Sequence, residues 1–507
     1  MGYLSEQIGA TLAGPRTAPA IQFKGHWTGW GEVADIVHGL DHLLEGLGQG
    51  EGATIGCALR NWPVHAAAMI GVVAGERCLV TFNALTPDDK LAADIVSARP
   101  PVVVAAAEDW ERDAFRAAVS EIGAAGISLT GDAARPVELV KGLETIGPGQ
   151  HQANLPGVAI LMLTSGTTGT PKRVPLRLAV LERQLTEAAG GQRHGTPGDS
   201  APIVPAGVSI MSGSLVHIGG VWGVLGPAMG GRPFCLLEKF TVPEWRAAVV
   251  EHRPRSGGAP PAALRMILDA NIPKAELSSL AALGAGTAPL DSAIVDEFLA
   301  RYDLPVLSNY GATEFAGGVA SWSLRAFREY WTAKRGAVGR IHKGIDARVV
   351  DPETDAVLAF GQEGVLELKG FAAGDGESWI RTTDRAVLDE DRFLWIRGRA
   401  DNAINRGGFK VHPDDVVAAL EQHPAVREAS VVGLADRRLG EVPVAALVLK
   451  AGAEQPTDAE LADWVRGRLI AYNVPVAFRF VDELPRTPSM KVSMPAVREL
   501  FVDRTAA

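Results

Sequence analysis

From Ala53 onward the chain alternates short apolar runs with longer mixed segments. Ala53-Thr54-Ile55-Gly56-Cys57-Ala58-Leu59 is uncharged, residues 64–73 form an apolar stretch of helical length, and Cys78-Leu79-Val80-Thr81-Phe82 is again short and apolar. The runs 101–107 and 158–163 continue the rhythm. Short uncharged runs read as strands buried on both faces, and strands spaced by helices read as βαβ units around a parallel sheet. The predicted class is α/β, with a large N-terminal domain of mostly parallel sheets and flanking helices. Gly and Pro cluster at Gly147-Pro148-Gly149, Pro197-Gly198 and Gly257-Gly258-Ala259-Pro260-Pro261, which are predicted loops.

Beyond residue 400 the pattern is that of a separate module: a helix over 414–423, strands over 429–434 and 442–449, and a helix over 458–471. About 105 residues suffice for a small independent α+β domain. The boundary is placed at Arg399-Ala400-Asp401, giving an N-terminal domain over 1–400 and a C-terminal domain over 401–507. A chain of 507 residues demands such a division, because single cores stop growing at roughly 250–300 residues.

Composition narrows the function classes. With 47% hydrophobic and 21% charged residues the chain is of ordinary globular type. A net charge of −10 and no long Lys/Arg block argue against nucleic acid or an anionic membrane surface as the main partner. The three cysteines, Cys57, Cys78 and Cys235, lie far apart, which argues against a disulfide framework or zinc site and for a reducing cytoplasm. No basic region followed by an apolar stretch opens the chain, so no secretory signal is expected. Residues 204–231 carry no Lys, Arg, Asp or Glu, and that length would cross a hydrocarbon layer of ~30 Å. Eight glycines, two prolines and three serines interrupt it, so a buried strand–loop–helix is predicted rather than stable membrane insertion.

The strongest chemical signal is Leu163-Thr164-Ser165-Gly166-Thr167-Thr168-Gly169-Thr170-Pro171-Lys172, directly after an apolar strand. Two glycines let backbone N–H groups approach an anion, five hydroxyls can donate to phosphate oxygens, and Lys172 adds a positive charge. The GxxxxGK[ST] spacing is absent, so this is not a Walker A loop. A shorter run would read as a surface turn.

The loop resembles the phosphate loop of the adenylate-forming superfamily, which includes acyl-CoA synthetases, luciferases and peptide-synthetase adenylation domains. Further motifs follow in that family's order: Asn309-Tyr310-Gly311-Ala312-Thr313-Glu314, Thr382-Thr383-Asp384, Gly398-Arg399-Ala400-Asp401 and Pro485-Arg486-Thr487-Pro488-Ser489-Met490-Lys491. The resemblance covers nearly the whole chain. It implies binding of ATP and Mg2+, with Thr164, Ser165, Gly166, Thr167, Thr168 and Lys172 on the phosphates and Thr313 and Glu314 at a phosphate oxygen and the metal. Tyr310 and Gly286-Thr287-Ala288 would enclose the adenine, and Asp384 and Arg399 would meet the ribose. Lys491 would stabilise charge where the carboxylate oxygen meets the α-phosphate. Asp401 would be the hinge of the C-terminal domain, a mobile lid.

The type of each residue suits its role. A carboxylate with phosphate oxygens suits magnesium, an aspartate accepts from a diol, and an arginine is a fork of donors. Isolated, Asp384 or Arg399 would read as a surface ion-pair member. Three departures stand out: Thr383 replaces the family's usual glycine, Asn402 its frequent aspartate, and Met490 a glycine beside the lysine.

Arg406-Gly407-Gly408-Phe409-Lys410-Val411-His412-Pro413 resembles the acyl-CoA synthetase strand that lines the pantetheine tunnel, with Gly408 giving CoA's thiol room. A tight turn alone would also use two glycines. The acid pocket is expected around His217-Ile218-Gly219-Gly220, Gly284-Ala285-Gly286 and Tyr310-Gly311-Ala312, all rich in small residues. His217 reads either as a gate beside the carboxylate or as a histidine bonded to a backbone carbonyl. Ser212-Gly213-Ser214-Leu215-Val216 holds no acid, which argues against an amino-acid substrate. The expected reaction joins a small carboxylic acid to AMP and then to CoA. The alternatives are an adenylating enzyme that loads a carrier protein, and a catalytically silent nucleotide-binding homologue.

Overall fold

The computed structural model describes residues 2–164, 172–189, 207–315, 317–371, 376–400, 402–406, 409–436, 438–487 and 490–502. The chain divides into two compact units, one of residues 1–335 with 342–344 and 371–376, the other of 336–341 with 345–370 and 377–507.

The first unit is built on the predicted βαβ rhythm. Strand β1 (Thr54–Leu59) is buried at all six positions. Pro63 opens helix α1 (Pro63–Ala74), where its missing N–H removes no helical bond, and the helix is buried from His65 to Val73. Strands β2 (Cys78–Asn83), β3 (Val102–Ala106), β4 (Ala125–Leu129), β5 (Val137–Leu139), β6 (Val158–Thr164) and β7 (Lys172–Arg177) complete a seven-stranded sheet in the order β5-β4-β3-β1-β2-β6-β7. The five central strands run parallel and the outer two antiparallel. Helix α2 (Leu178–Ala189) follows β7 without a connecting loop.

Downstream, strand Ser209–Met211, a loop and helix α3 (Ile218–Met229) are the strand–loop–helix expected of the uncharged stretch. Among the described residues no helix is long and apolar enough to cross a membrane. A second set of strands follows: β8 (Ser256–Gly258), β9 (Ala282–Ala285), β10 (Val306–Ala312) and β11 (Gly317–Ser321). The first three run parallel and β11 returns antiparallel. Gly257 and Gly258, predicted as loop, thus lie in a strand, and the loop is confined to Ala259 and Pro260 before a helix begins at Pro261. Pairing of Gly257 with Leu283 and Gly258 with Gly284 overrides the local turn preference. Pro197-Gly198 lies outside the described residues.

The second unit is antiparallel where it begins, which the sequence pattern did not foretell. Strands β12 (Gly339–Ile341), β13 (Ile345–Val350), β14 (Glu363–Gly370), β15 (Ile380–Leu388) and β16 (Phe393–Arg399) lie in the order β12-β16-β15-β14-β13. After it come β17 (Ile404–Arg406), β18 (Phe409–Val411), helix α4 (Pro413–Glu421), β19 (Val426–Asp436), β20 (Gly440–Leu449) and helix α5 (Asp458–Arg466). Helices α4 and α5 and strands β19 and β20 are the predicted elements, except that α5 stops at Arg466 rather than 471, whereas the single strand expected over 406–413 is two short strands, β17 and β18, paired antiparallel. Gly467, a poor helix former, caps α5, and Ala471–Asn473 is a separate single turn.

All three cysteines are buried and unbridged. Burial pushes the Cys57 thiol up, Cys78 to about 12 and Cys235 to about 11. The thiolate is the reactive form, so the native protein should leave all three unlabelled by a thiol reagent near neutral pH and label them on unfolding. A thiol that reacts at its free rate in the folded state would contradict this burial.

Candidate active site

The structure places Lys172 at the base of the Ser/Thr/Gly loop. Strands β6 and β7 pair antiparallel with Thr164 opposite Lys172 and Leu163 opposite Arg173. Strand alternation sends the next side chain, Arg173, to the other face, where it bonds Asp94 at 2.7 Å and the Thr81 carbonyl at 3.0 Å and stacks over Phe82. Lys172 is exposed. Ser165, Gly166, Thr167 and Thr168 lie outside the described residues, and only the backbone of Thr164 and Glu314 is described.

Strand β7 packs against the short turn Thr313–Phe315 that joins β10 to β11. The structure therefore brings the lysine-bearing arm of the loop to the segment that carries Thr313 and Glu314. Gly311 makes this turn possible, since a Cβ there would lie 2.1 Å from the Gly317 carbonyl oxygen. The register between the strands shifts between Tyr310 and Gly311 at the same place. A hydroxyl, a carboxylate residue and an ammonium residue on adjoining backbone form a donor set that fits a metal-bound triphosphate.

The two adenine-binding candidates also adjoin. Strands β9 and β10 run parallel with Ala285 opposite Ser308, so Gly286-Thr287-Ala288 leaves the carboxyl end of β9 beside Asn309-Tyr310, which continue in β10 paired with β11; the carboxyl end of a parallel strand is the usual position of ligand crevices in α/β sheets. Asn309 Nδ2 donates to the Ala285 carbonyl at 3.0 Å, and a Cβ on Gly286 would meet the Asn309 amide at 2.6 Å. Thr287 has φ +73, costly for a β-branched residue, and strain of this kind clusters at ligand sites.

His217 is the N-cap residue of α3, half-buried, with its carbonyl accepting from Gly220 and Val221. The loop before it is held by Asn61, which the sequence reading passed over. Asn61 is 6% exposed. Its Nδ2 donates to the Gly213 and Leu237 carbonyls and its Oδ1 accepts from Leu215 N–H, each at 3.0 Å. A single polar residue between a buried strand and a Pro-initiated helix was its only signal.

In the second unit Asp384 and Arg399 face each other across β15 and β16. Thr383 needs no glycine conformation, because its φ is not in the left-handed region, and its carbonyl accepts from Ala400 N–H at 2.7 Å. Arg406 pairs with Phe409 across β17 and β18, while Gly408 and Asp401 lie outside the described residues.

Lys491 ends a tight hairpin. Arg486 bridges Val492, Thr487 N–H donates to the Lys491 carbonyl at 2.8 Å, and Met490 N–H donates to the Thr487 carbonyl at 2.9 Å. Met490 has φ +65, the left-handed conformation that follows a turn in such hairpins and favours glycine. Arg486 secures it by donating to the Met490 carbonyl at 3.1 Å while pairing with Glu428. The Lys491 side chain reaches solvent, yet enough protein surrounds its ammonium that desolvation lowers the pKa from the ordinary lysine value. Met490→Gly removes left-handed strain of ~1 kcal/mol and should not lower the melting temperature, whereas Met490→Val should. Thermal melts giving the opposite order would contradict the strain.

Residues 10–376 match the AMP-binding enzyme family and residues 416–491 match the AMP-binding enzyme C-terminal domain. A 4-coumarate–CoA ligase-like 9 protein of Arabidopsis thaliana is 28% identical over 72% of this chain and 66% of its own length. The chain thus spans slightly under two thirds of that curated relative. A 4-coumarate–CoA ligase-like 2 protein of the same plant is 26% identical over 94% of this chain and 85% of its own length. The structure of ATP-bound MatB from Rhodopseudomonas palustris shares the fold, with a TM-score of 0.80, 22% identity and 99% of each chain covered. The matched family segment spans most of the chain and contains the loop, the Thr313–Phe315 turn and the 286–288 segment just described, so the chain belongs to the AMP-binding enzymes of the adenylate-forming superfamily.

Proposed function

We propose that the chain is an acyl- or aryl-CoA ligase. A carboxylate oxygen attacks the α-phosphate of ATP and expels pyrophosphate, and the CoA thiol then attacks the acyl carbon and expels AMP. The observation that carries this reading is the packing of β7, with Lys172 at its start, against the Thr313–Phe315 turn. Magnesium would be held by Glu314 and would neutralise phosphate charge. Thr313 and Lys172 would hold phosphate oxygens, Tyr310 and residues 286–288 the adenine, and Asp384 and Arg399 the ribose. His217, at the start of α3, would border the carboxylate.

The same reading assigns CoA's pantetheine arm to the Gly408 strand and sets a domain boundary at 400/401, which falls between the two matched family segments. It also places the enzyme in the cytoplasm, where buried free thiols stay reduced. Pyrophosphate release across a panel of fatty, aryl and alicyclic acids, with and without CoA, tests the proposal. Release with one acid class, coupled to CoA consumption, is expected. Silence with every acid would overturn it.

Lys491 is assigned to the first step alone, where charge gathers at the α-phosphate. Lys491→Ala should lose roughly 10²–10³-fold in acyl-AMP formation and spare transfer from supplied acyl-AMP. The active form is the ammonium and its pKa is lowered. Adenylation should therefore fall as pH rises through a value below that of ordinary lysine, and the variant should lack that alkaline limb. Equal losses in both half-reactions would refute the assignment.

A further inference from the structure

We infer that Gln184 is a positioning residue for adenylation: its carboxamide, reaching from α2, fixes the Thr313–Phe315 turn in the attitude that nucleotide and metal require. The inference rests on the ATP reading of that turn. Leu181, Gln184 and Leu185 share one buried face of α2, at the three- and four-residue spacing of a helix. A glutamine 2% exposed among leucines carries a desolvation cost that only hydrogen bonds repay. Leucine or methionine would fill the same space, so packing alone does not call for an amide.

The Gln184 Nε2 donates to the Phe315 carbonyl at 2.9 Å. On the far side of the turn, a Cβ on Gly317 would lie 2.6 Å from Gln184 Oε1 and 3.0 Å from the Trp222 indole of α3. The carboxamide therefore touches the chain both where the turn ends and where β11 begins. Because α2 continues β7 directly, Gln184 links the arm that starts at Lys172 to the residues that follow Thr313 and Glu314. A turn of three residues has no helix to hold its direction, and an outside anchor sets where its side chains fall. Errors of about 1 Å in such placement cost on the order of 10²-fold in rate.

Gln184→Met and Gln184→Leu keep volume and remove the donor. ATP affinity of the full chain is measured by calorimetry with and without Mg2+, beside acyl-AMP formation and transfer from supplied acyl-AMP. The variants should melt within a few degrees of the parent and bind ATP without Mg2+ within about twofold of it. The gain in affinity that Mg2+ confers should shrink several-fold, adenylation should fall roughly 10–100-fold, and transfer should be unchanged. Parental Mg2+ dependence, or equal losses in both half-reactions, would overturn the inference. Failure of both variants to fold would overturn it too, by making Gln184 part of the fold rather than of the site. A parent that binds ATP with Mg2+ but releases no pyrophosphate with any acid counts against the ligase reading alone.

Discussion

Strands β10 and β11 approach so closely at their shared end that no side chain fits between Gly311 and Gly317, where a Cβ would lie 2.1 Å from a carbonyl oxygen. This steric constraint lets the chain reverse through Thr313–Phe315 and shifts the register after Tyr310. It therefore fixes where the aromatic ring ends and where the hydroxyl and carboxylate begin. The parallel strands β8, β9 and β10 supply the other half of the geometry, because the carboxyl end of β9 delivers residues 286–288 beside residues 309–310 of β10.

Around this turn the first unit uses buried amides as fasteners. Asn61 ties the loop before His217 to the sheet through three hydrogen bonds, and Gln184 ties α2 to Phe315. Both are buried, where an unpaired polar group is costly and a paired one holds a single geometry. Apolar packing supplies the bulk of the stability, while the amides decide the direction of segments that have no secondary structure of their own.

The second unit relies on backbone conformation instead. Gly398 has φ +109, and a Cβ there would fall 2.2 Å from an Asp414 carboxylate oxygen. Asp414 stands in the first turn of α4, where the helix dipole favours an acid, and it accepts from Arg399 N–H at 3.3 Å. Desolvation raises its pKa despite that bond. Arg399 is thereby held opposite Asp384 by its backbone, whatever its side chain does. Met490 is the counter-example: a left-handed position filled by a residue that strains there, its carbonyl held by Arg486 of the same hairpin.

The sequence by itself determined the βαβ half of the first unit, the two helices and two long strands beyond residue 412 and the family, because these rest on local periodicity and on motifs whose residues are contiguous. Leu163–Lys172, Asn309–Glu314 and Pro485–Lys491 were legible for that reason. It did not foretell the antiparallel sheet over 339–399, whose strands mix polar and apolar positions and are defined by their partners. Nor did it distinguish the strand at Gly257-Gly258 from a turn, since two glycines carry no β preference until a neighbour pairs with them. Thr383 and Met490 were both departures from the family's glycine in sequence, but Thr383 lies in an extended strand without left-handed strain, whereas Met490 bears a real conformational cost. Asn61 and Gln184 were invisible for a further reason. Their partners lie 152 and 131 residues away, at Gly213 and Phe315, and only the folded chain brings a buried amide to the carbonyl it must satisfy.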